Sequence, residues 1–198
     1  MTRQTSFGGG ELAVILPGTW AAIPLDDPEA ASKRISALVK SQVGRSDRLA
    51  RVRRDVKSQL EGVVADARSG DVFSLALSME ILPGVPFPAA MSMSKEHWPI
   101  ADDPDSEVSR IVRAYPQATP VELSIGTVAR SSRVTSQRYD EQSAPELVVD
   151  YRFPAPGGEH VIRVHVNAPM AYEDELYLEL FDAIVDSITF REPLAVAD

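Results

Sequence analysis

The sequence predicts an α+β fold, an antiparallel β-sheet of about five to seven strands flanked by helices. Three observations carry that expectation. The stretch "DVFSLALSMEIL" (71–82) alternates, with Phe73, Leu75, Leu77, Met79 and Ile81 on one side, the period of a half-buried strand. The segments "LVVDYRF" (147–153) and "HVIRVHV" (160–166), joined by "PAPGGE", make the clearest hairpin in the chain. Residues 171–188 place apolar side chains three and four apart, as an amphipathic helix does.

The elements follow in chain order. Residues 1–10 are polar and end in three glycines, which predicts a flexible tail. "ELAVILPGTWAAIPL" (11–25) is an apolar run cut by Pro17-Gly18, so it reads as two short strands or one bent strand, with Trp20 as a core anchor. "DDPEAASKRISALVKSQV" starts a helix with acidic residues and Pro28, and Ile35, Leu38 and Val39 share a face. Gly44 marks a break, and Ser46 offers an N-cap for a second helix. That helix carries a stripe of Leu49, Val52, Val56, Leu60, Val63, Val64 and Ala67, and Gly70 is its expected C-cap.

Strand 71–82 turns at "PGVPFP" into a partner strand at "AAMSMS". "DDPDSEVSRIVRAY" (102–115) reads as a short helix stopped by Pro116. Residues 120–138 alternate as one long or two short strands, and "QRYDEQSAPE" reads as a polar loop before the hairpin. The last helix is expected over about 171–187, followed by a short "ITF" strand. One domain over 11–190, with a second flexible tail at 191–198, is the simplest organisation.

Composition narrows the function classes. The 198 residues are 44% hydrophobic and 25% charged, an ordinary globular balance. Zero cysteines removes disulfides, thiolate catalysis and cysteine-bound zinc together. The N-terminus lacks the apolar core of a secretory signal and no apolar run has the length of a membrane span, so a cytoplasmic protein is expected. The net charge is -9 but uneven: residues 33–68 hold ten Lys/Arg against four Asp/Glu, about +6, which leaves about -15 elsewhere.

The six carboxylates of the last helix are Glu173, Asp174, Glu175, Glu179, Asp182 and Asp186. They fall mostly between the apolar positions Tyr172, Leu176, Tyr177, Leu180, Phe181, Ile184, Val185 and Ile188, which reads as a solvated face. The acidic crowd in the first turn also suits the helix dipole. Neither an EF-hand spacing nor a histidine accompanies them, which argues against a metal site.

The run "VNAPMAYEDELYLELFDAIVDSITF" (166–190), a hairpin strand leading into an aromatic and acidic helix, resembles the end of the Mog1/PsbP-like superfamily. "LPGTWAAIPL" is similar to that superfamily's early strand with its tryptophan, and the Arg- and Ala-rich helices resemble actinobacterial proteins of this type. The resemblance implies an antiparallel sheet flanked by helices. It also implies a binding or assembly factor rather than an enzyme, since some members bind a small GTPase and some are photosystem subunits. No binding residue of the family matches this chain, so no site is carried over.

Two residue sets are candidates for partner binding. On the basic segment 45–57, Arg48, Arg51 and Arg54 cluster at helical spacing, with Lys57 following, while Arg53 lies well away. Asp47 and Asp55 are interspersed and can pair with them, no aromatic is interleaved for base stacking, and the net charge opposes nucleic acid. On the hairpin, Asp150 and Arg152 share a face of one strand and Arg163 and His165 a face of the other, so aligned register gives a polar sheet face with both charge signs. The bland alternative is a solvent-exposed face with cross-strand ion pairs.

His160 and His165 lie five apart on one strand and point to opposite faces, and His97 sits beside Trp98 with no partner motif, so packing or surface roles are expected for all three. No G-x-S-x-G elbow and no phosphate loop occurs. The reading is therefore a non-enzymatic interaction or assembly protein with a protein partner and no cofactor. Two alternatives stay open: a small hydrolase or ligand-binding enzyme with a pocket between sheet and helix, and nucleic-acid binding through 45–57. A deep pocket with a His–acid pair would favour the enzyme.

Overall fold

Alternation and turn chemistry pair neighbouring strands, and the computed structural model shows how far that pairing extends. It describes residues 2–7, 12–44, 46–100, 106–139 and 142–190. The strands are β1 (Thr2–Phe7), β2 (Leu12–Pro17), β3 (Thr19–Ile23), β4 (Val72–Leu82), β5 (Val85–His97), β6 (Thr119–Leu123), β7 (Gly126–Tyr139), β8 (Gln142–Pro154), β9 (His160–Pro169) and β10 (Thr189–Phe190). The helices are α1 (Pro28–Val43), α2 (Ala50–Ser69), α3 (Glu107–Ala114) and α4 (Asp174–Asp186). A seven-stranded antiparallel sheet runs β3-β4-β5-β9-β8-β7-β6, and a three-stranded sheet runs β1-β2-β10. No helix among the described residues is long and apolar enough to cross a membrane.

The large sheet is covered on both faces, so there are two apolar clusters. On one face lies α4 with the small sheet: Phe181, Ile184, Val185 and Ile188 meet Leu12, Val14 and Leu16 of β2 and Tyr151, Phe153, Val164 and Val166 of the hairpin. On the other face α1 and α2 pack over β3 and β4, burying Ile35, Val39 and Val64 against Ile23, Leu75 and Leu77. At the far end of that second face α3 sits on β7 and β8. Between these two helical covers the face of β5, β9 and β8 carries polar side chains.

Several expectations change here. Residues 1–10 are expected as a tail, but 2–7 form β1, paired along its length with β2 from Thr2↔Pro17 to Phe7↔Leu12. The alternating polar residues Thr2, Gln4 and Ser6 suit an edge strand as well as a tail, and pairing decides between them. Strand β4 is buried on both faces rather than one. Its register shifts near Val72/Ser74 and Ser78/Glu80 are bulges that reverse the alternation. Leu75 and Leu77 therefore face α1 and α2, while Phe73 and Ile81 pack with the opposite cluster. The "QRYDEQSAPE" loop is instead largely strand, since β7 runs to Tyr139 and β8 begins at Gln142.

Helix starts obey local chemistry in part. Asp27 caps α1 by accepting from the backbone N–H of Glu29 and Ala30 at 2.9 and 3.0 Å, and the Ala30 bond leads in holding its carboxyl below the ordinary value. Ser46 makes no side-chain cap; a single 3-10 turn at Asp47–Leu49 intervenes and α2 starts at Ala50. Arg53 stabilises that connection by donating to the carbonyls of Gly44 and Ser46 at 2.9 and 2.7 Å. The start of the 102–115 helix lies partly outside the described residues; α3 begins at Glu107, capped by Ser106.

The acidic face of α4 is not uniformly wet. Asp182 accepts from the buried Tyr151 hydroxyl at 2.7 Å and pairs with Arg130 of β7. Asp186 accepts from the backbone N–H of Ser124 at 2.6 Å. Burial, and then the hydrogen bond to Asp182, push the Tyr151 hydroxyl far above its ordinary value, so it stays a proton donor. Tyr151→Phe is expected to lower stability by about 1–2 kcal/mol, because Asp182 loses a partner in a half-buried site while Arg130 remains. Urea unfolding of the two proteins checks this, and equal midpoints would show the hydroxyl bond to be neutral.

Candidate functional site

The hairpin register aligns the four sheet residues singled out in the sequence. Asp150 stands opposite His165, and Arg152 opposite Arg163. All four lie on the face shared with α1, α2 and α3, opposite the α4 core. Asp150 is the buried member, 6% exposed. Its Oδ1 accepts from Arg163 Nε at 2.7 Å and lies 2.8 Å from His165 Nδ1. Burial raises the Asp150 carboxyl, but the hydrogen bonds from His165 and Arg163 outweigh it and hold the group well below the usual carboxylate range. A carboxylate can only accept, so the 2.8 Å contact requires Nδ1 of His165 to donate to Asp150.

Five more side chains complete the array, and the sequence did not single them out. Glu96 of β5 bridges Arg152 at 3.4 Å and Arg163 at 3.5 Å. Arg152 also stacks over the Tyr115 ring at the end of α3, 5.2 Å to the centroid. Glu146, itself buried, accepts from Asn167 Nδ2 at 2.9 Å and Thr135 Oγ1 at 3.1 Å. Apart from Tyr115 at the end of α3, these residues come from four adjacent strands, β5, β9, β8 and β7, so only sheet order joins them. Their alternation within each strand was the available signal.

The basic residues of the second set stay apart from this array. Arg51 pairs with Asp55 at 4.0 Å with both side chains exposed, and Lys57 pairs with Glu61 at 3.5 Å. Arg48 is exposed on the 3-10 turn and Arg54 on α2, while Arg45 lies outside the described residues. Lys57 reaches an open groove of about 600 Å³ between the helices, which Lys33, Lys40, Ser32, Ser36 and Ser41 also line. Exposed pairs of this kind contribute little to stability.

A third surface is apolar and was not anticipated. Tyr172 and Leu176, expected on the buried face of the last helix, are 70% and 64% exposed. The helix begins at Asp174, so Tyr172 precedes it, and the buried residues of α4 are confined to Phe181, Ile184 and Val185 in its later turns. Met170, just before them, is 47% exposed and has φ 59, the lone positive-φ residue other than glycine among the described residues. A left-handed backbone at such a residue costs roughly 1–2 kcal/mol, so the surrounding structure holds it there. Leu82 and Val85, 57% and 46% exposed, flank the β4–β5 turn. The ladder sets Ala90 opposite Asn167, and Phe87 stacks on Tyr177 with centroids 5.2 Å apart, which puts this turn at the same end of the sheet as the entry to α4. Glu173, Glu175 and Glu179, all exposed, rim the surface with negative charge.

No protein-family model matches the chain, and no curated protein matches it in sequence. Among solved structures the chain is similar to a point mutant of the protein Mog1, with a TM-score of 0.50, 7% sequence identity and 96% of each chain covered. At that identity the likeness is one of fold: the chain has a Mog1/PsbP-like α+β architecture.

Proposed function

We propose that the protein is a non-enzymatic interaction or assembly factor that docks a protein partner through the apolar end formed by Met170, Tyr172, Leu176, Leu82 and Val85. The observation that carries this reading is the exposure of five large apolar side chains at one end of the sheet beside a carboxylate rim. Exposed aromatic, Met and Leu side chains bordered by charge have the composition of a protein interface. The charged strip of Glu96, Arg152, Arg163 and His165 on the sheet face is a second surface such a partner could reach, and the basic α2 set Arg48, Arg51, Arg54 and Lys57 is a third.

The test is affinity capture of the tagged full chain from its source cells at low salt, with three baits. These are the wild type, Tyr172→Ala with Leu176→Arg, and Arg48→Glu with Arg51→Glu and Arg54→Glu. A stoichiometric protein partner held by the wild type and the α2 variant, and lost from the Tyr172/Leu176 variant, is the expected outcome. Loss from the α2 variant alone would move docking to the basic helix. No stoichiometric partner with any bait would sink the interaction reading.

One observation favours an enzyme as the second reading. Asp150 orients His165, and Ser92 of β5 stands directly across the ladder from His165 on the same face. An acid, a histidine and a serine in that order on neighbouring strands have the chemistry of nucleophile activation. Treatment with a fluorophosphonate probe decides it. The interaction reading expects no labelling, whereas stoichiometric labelling of Ser92 that His165→Ala abolishes would establish the hydrolase.

A further inference from the structure

We infer that His97 and His160 form a two-histidine binding site for a late first-row divalent cation such as Zn²⁺, Ni²⁺ or Cu²⁺. The two residues end β5 and begin β9, and the ladder sets them directly opposite each other. The register runs unbroken from Ala90↔Asn167 to His97↔His160, so the pairing is fixed by eight consecutive residue pairs of the ladder. The ring centroids lie 5.1 Å apart. Two imidazoles on one tetrahedral ion, with metal–nitrogen bonds of about 2.0–2.1 Å, have ring centres on the order of 5 Å apart. The two rings are tilted by 40° to each other, and rotation about their side-chain bonds can turn both toward a shared ion.

The donors are available. Among the described residues neither imidazole has a hydrogen-bond or ion-pair partner, in contrast to His165, whose Nδ1 faces Asp150. The neighbouring backbone is braced. Trp98 Nε1 donates to the Gly158 carbonyl at 2.8 Å, Arg110 Nη1 donates to the same oxygen at 3.1 Å, and the Arg110 guanidinium lies 4.1 Å from the Trp98 ring centre. These contacts tie the residue after His97 to the turn before His160, so the ion meets ligands already placed. Imidazole suits Zn²⁺, Ni²⁺ and Cu²⁺ and suits Mg²⁺ and Ca²⁺ poorly, which sets the class of ion. No cluster of three or more His, Cys, Asp or Glu suited to a metal occurs among the described residues, so the two imidazoles are the ligands the described residues supply.

The site lies at the opposite end of β5 from Val85 and the apolar surface, so it does not depend on the docking proposal. Isothermal titration of the untagged full chain with each of the three chloride salts tests it. One equivalent is expected to bind to the wild type and to His165→Ala. His97→Asn and His160→Asn should each weaken binding about tenfold or more, because each removes one imidazole of the pair. Affinity should also fall on acidification, since protons compete for the same nitrogens. Melting temperatures without metal establish that the variants fold, and the rise caused by the ion should be confined to the wild type and His165→Ala. Failure of all three ions to bind, binding retained in both asparagine variants, or binding lost in His165→Ala would overturn the assignment.

Discussion

Gly18→Ala is expected to destabilise the protein by roughly 3–5 kcal/mol, from a left-handed backbone cost and an overpacking cost together. Gly18 joins β2 to β3, strands that belong to different sheets, and it does so with φ 74. A Cβ at this position would lie 2.0 Å from the Glu80 carbonyl oxygen and 2.8 Å from the Ile81 Cα. Both neighbours are backbone atoms of β4, so no side chain can swing aside. Either β3 moves off β4, where Thr19 pairs with Glu80, or the turn between the sheets opens. For a chain of this size such a loss corresponds to a fall in melting temperature of about 10 °C. Thermal and urea unfolding of the alanine variant measure it. A shift within a couple of degrees would mean that the close approach at Gly18 is not required.

Asp150→Ala is expected to cost about 2–3 kcal/mol at neutral pH, less than a fully buried pair because Arg163 and His165 are partly exposed. The carboxylate lies at the centre of the array, and its removal leaves two donors facing an apolar methyl. The pH dependence follows from the direction of its shift. The folded carboxyl titrates below its unfolded value, so its contribution is complete above the ordinary carboxylate range near about pH 4. It is lost as the pH falls from there through the depressed folded value. Wild type should therefore lose its advantage over Asp150→Ala in acid, and the two stability curves should converge below about pH 4. Chemical denaturation across pH 2 to 8 checks the pattern, and a constant gap would assign the effect to packing instead.

Much of this protein is legible along the chain. The hairpin around "PAPGGE", the α1 start at Asp27-Pro28 and the apolar half of α4 depend on interactions within a few residues, and the sequence alone specifies them. The likeness of 166–190 to a Mog1/PsbP-like ending agrees with the fold found. The pairing of Asp150 with Arg163 and His165 was also foreseeable, because two strands joined by a short turn have few registers.

What the chain leaves open is decided by distance in space. Glu96 reaches Arg152 and Arg163 because β5 is inserted next to β9, a choice of strand order made by packing and not by any local motif. His97 meets His160 for the same reason. The bulges of β4 reverse its faces because two helices cover one side and the α4 layer the other, so both sides must be apolar. Tyr172 and Leu176 fit a helical apolar stripe by spacing, yet they lie outside the part of α4 that the core buries. Periodicity determines which residues can share a face; tertiary packing determines whether anything lies opposite that face, because burial is a property of two surfaces.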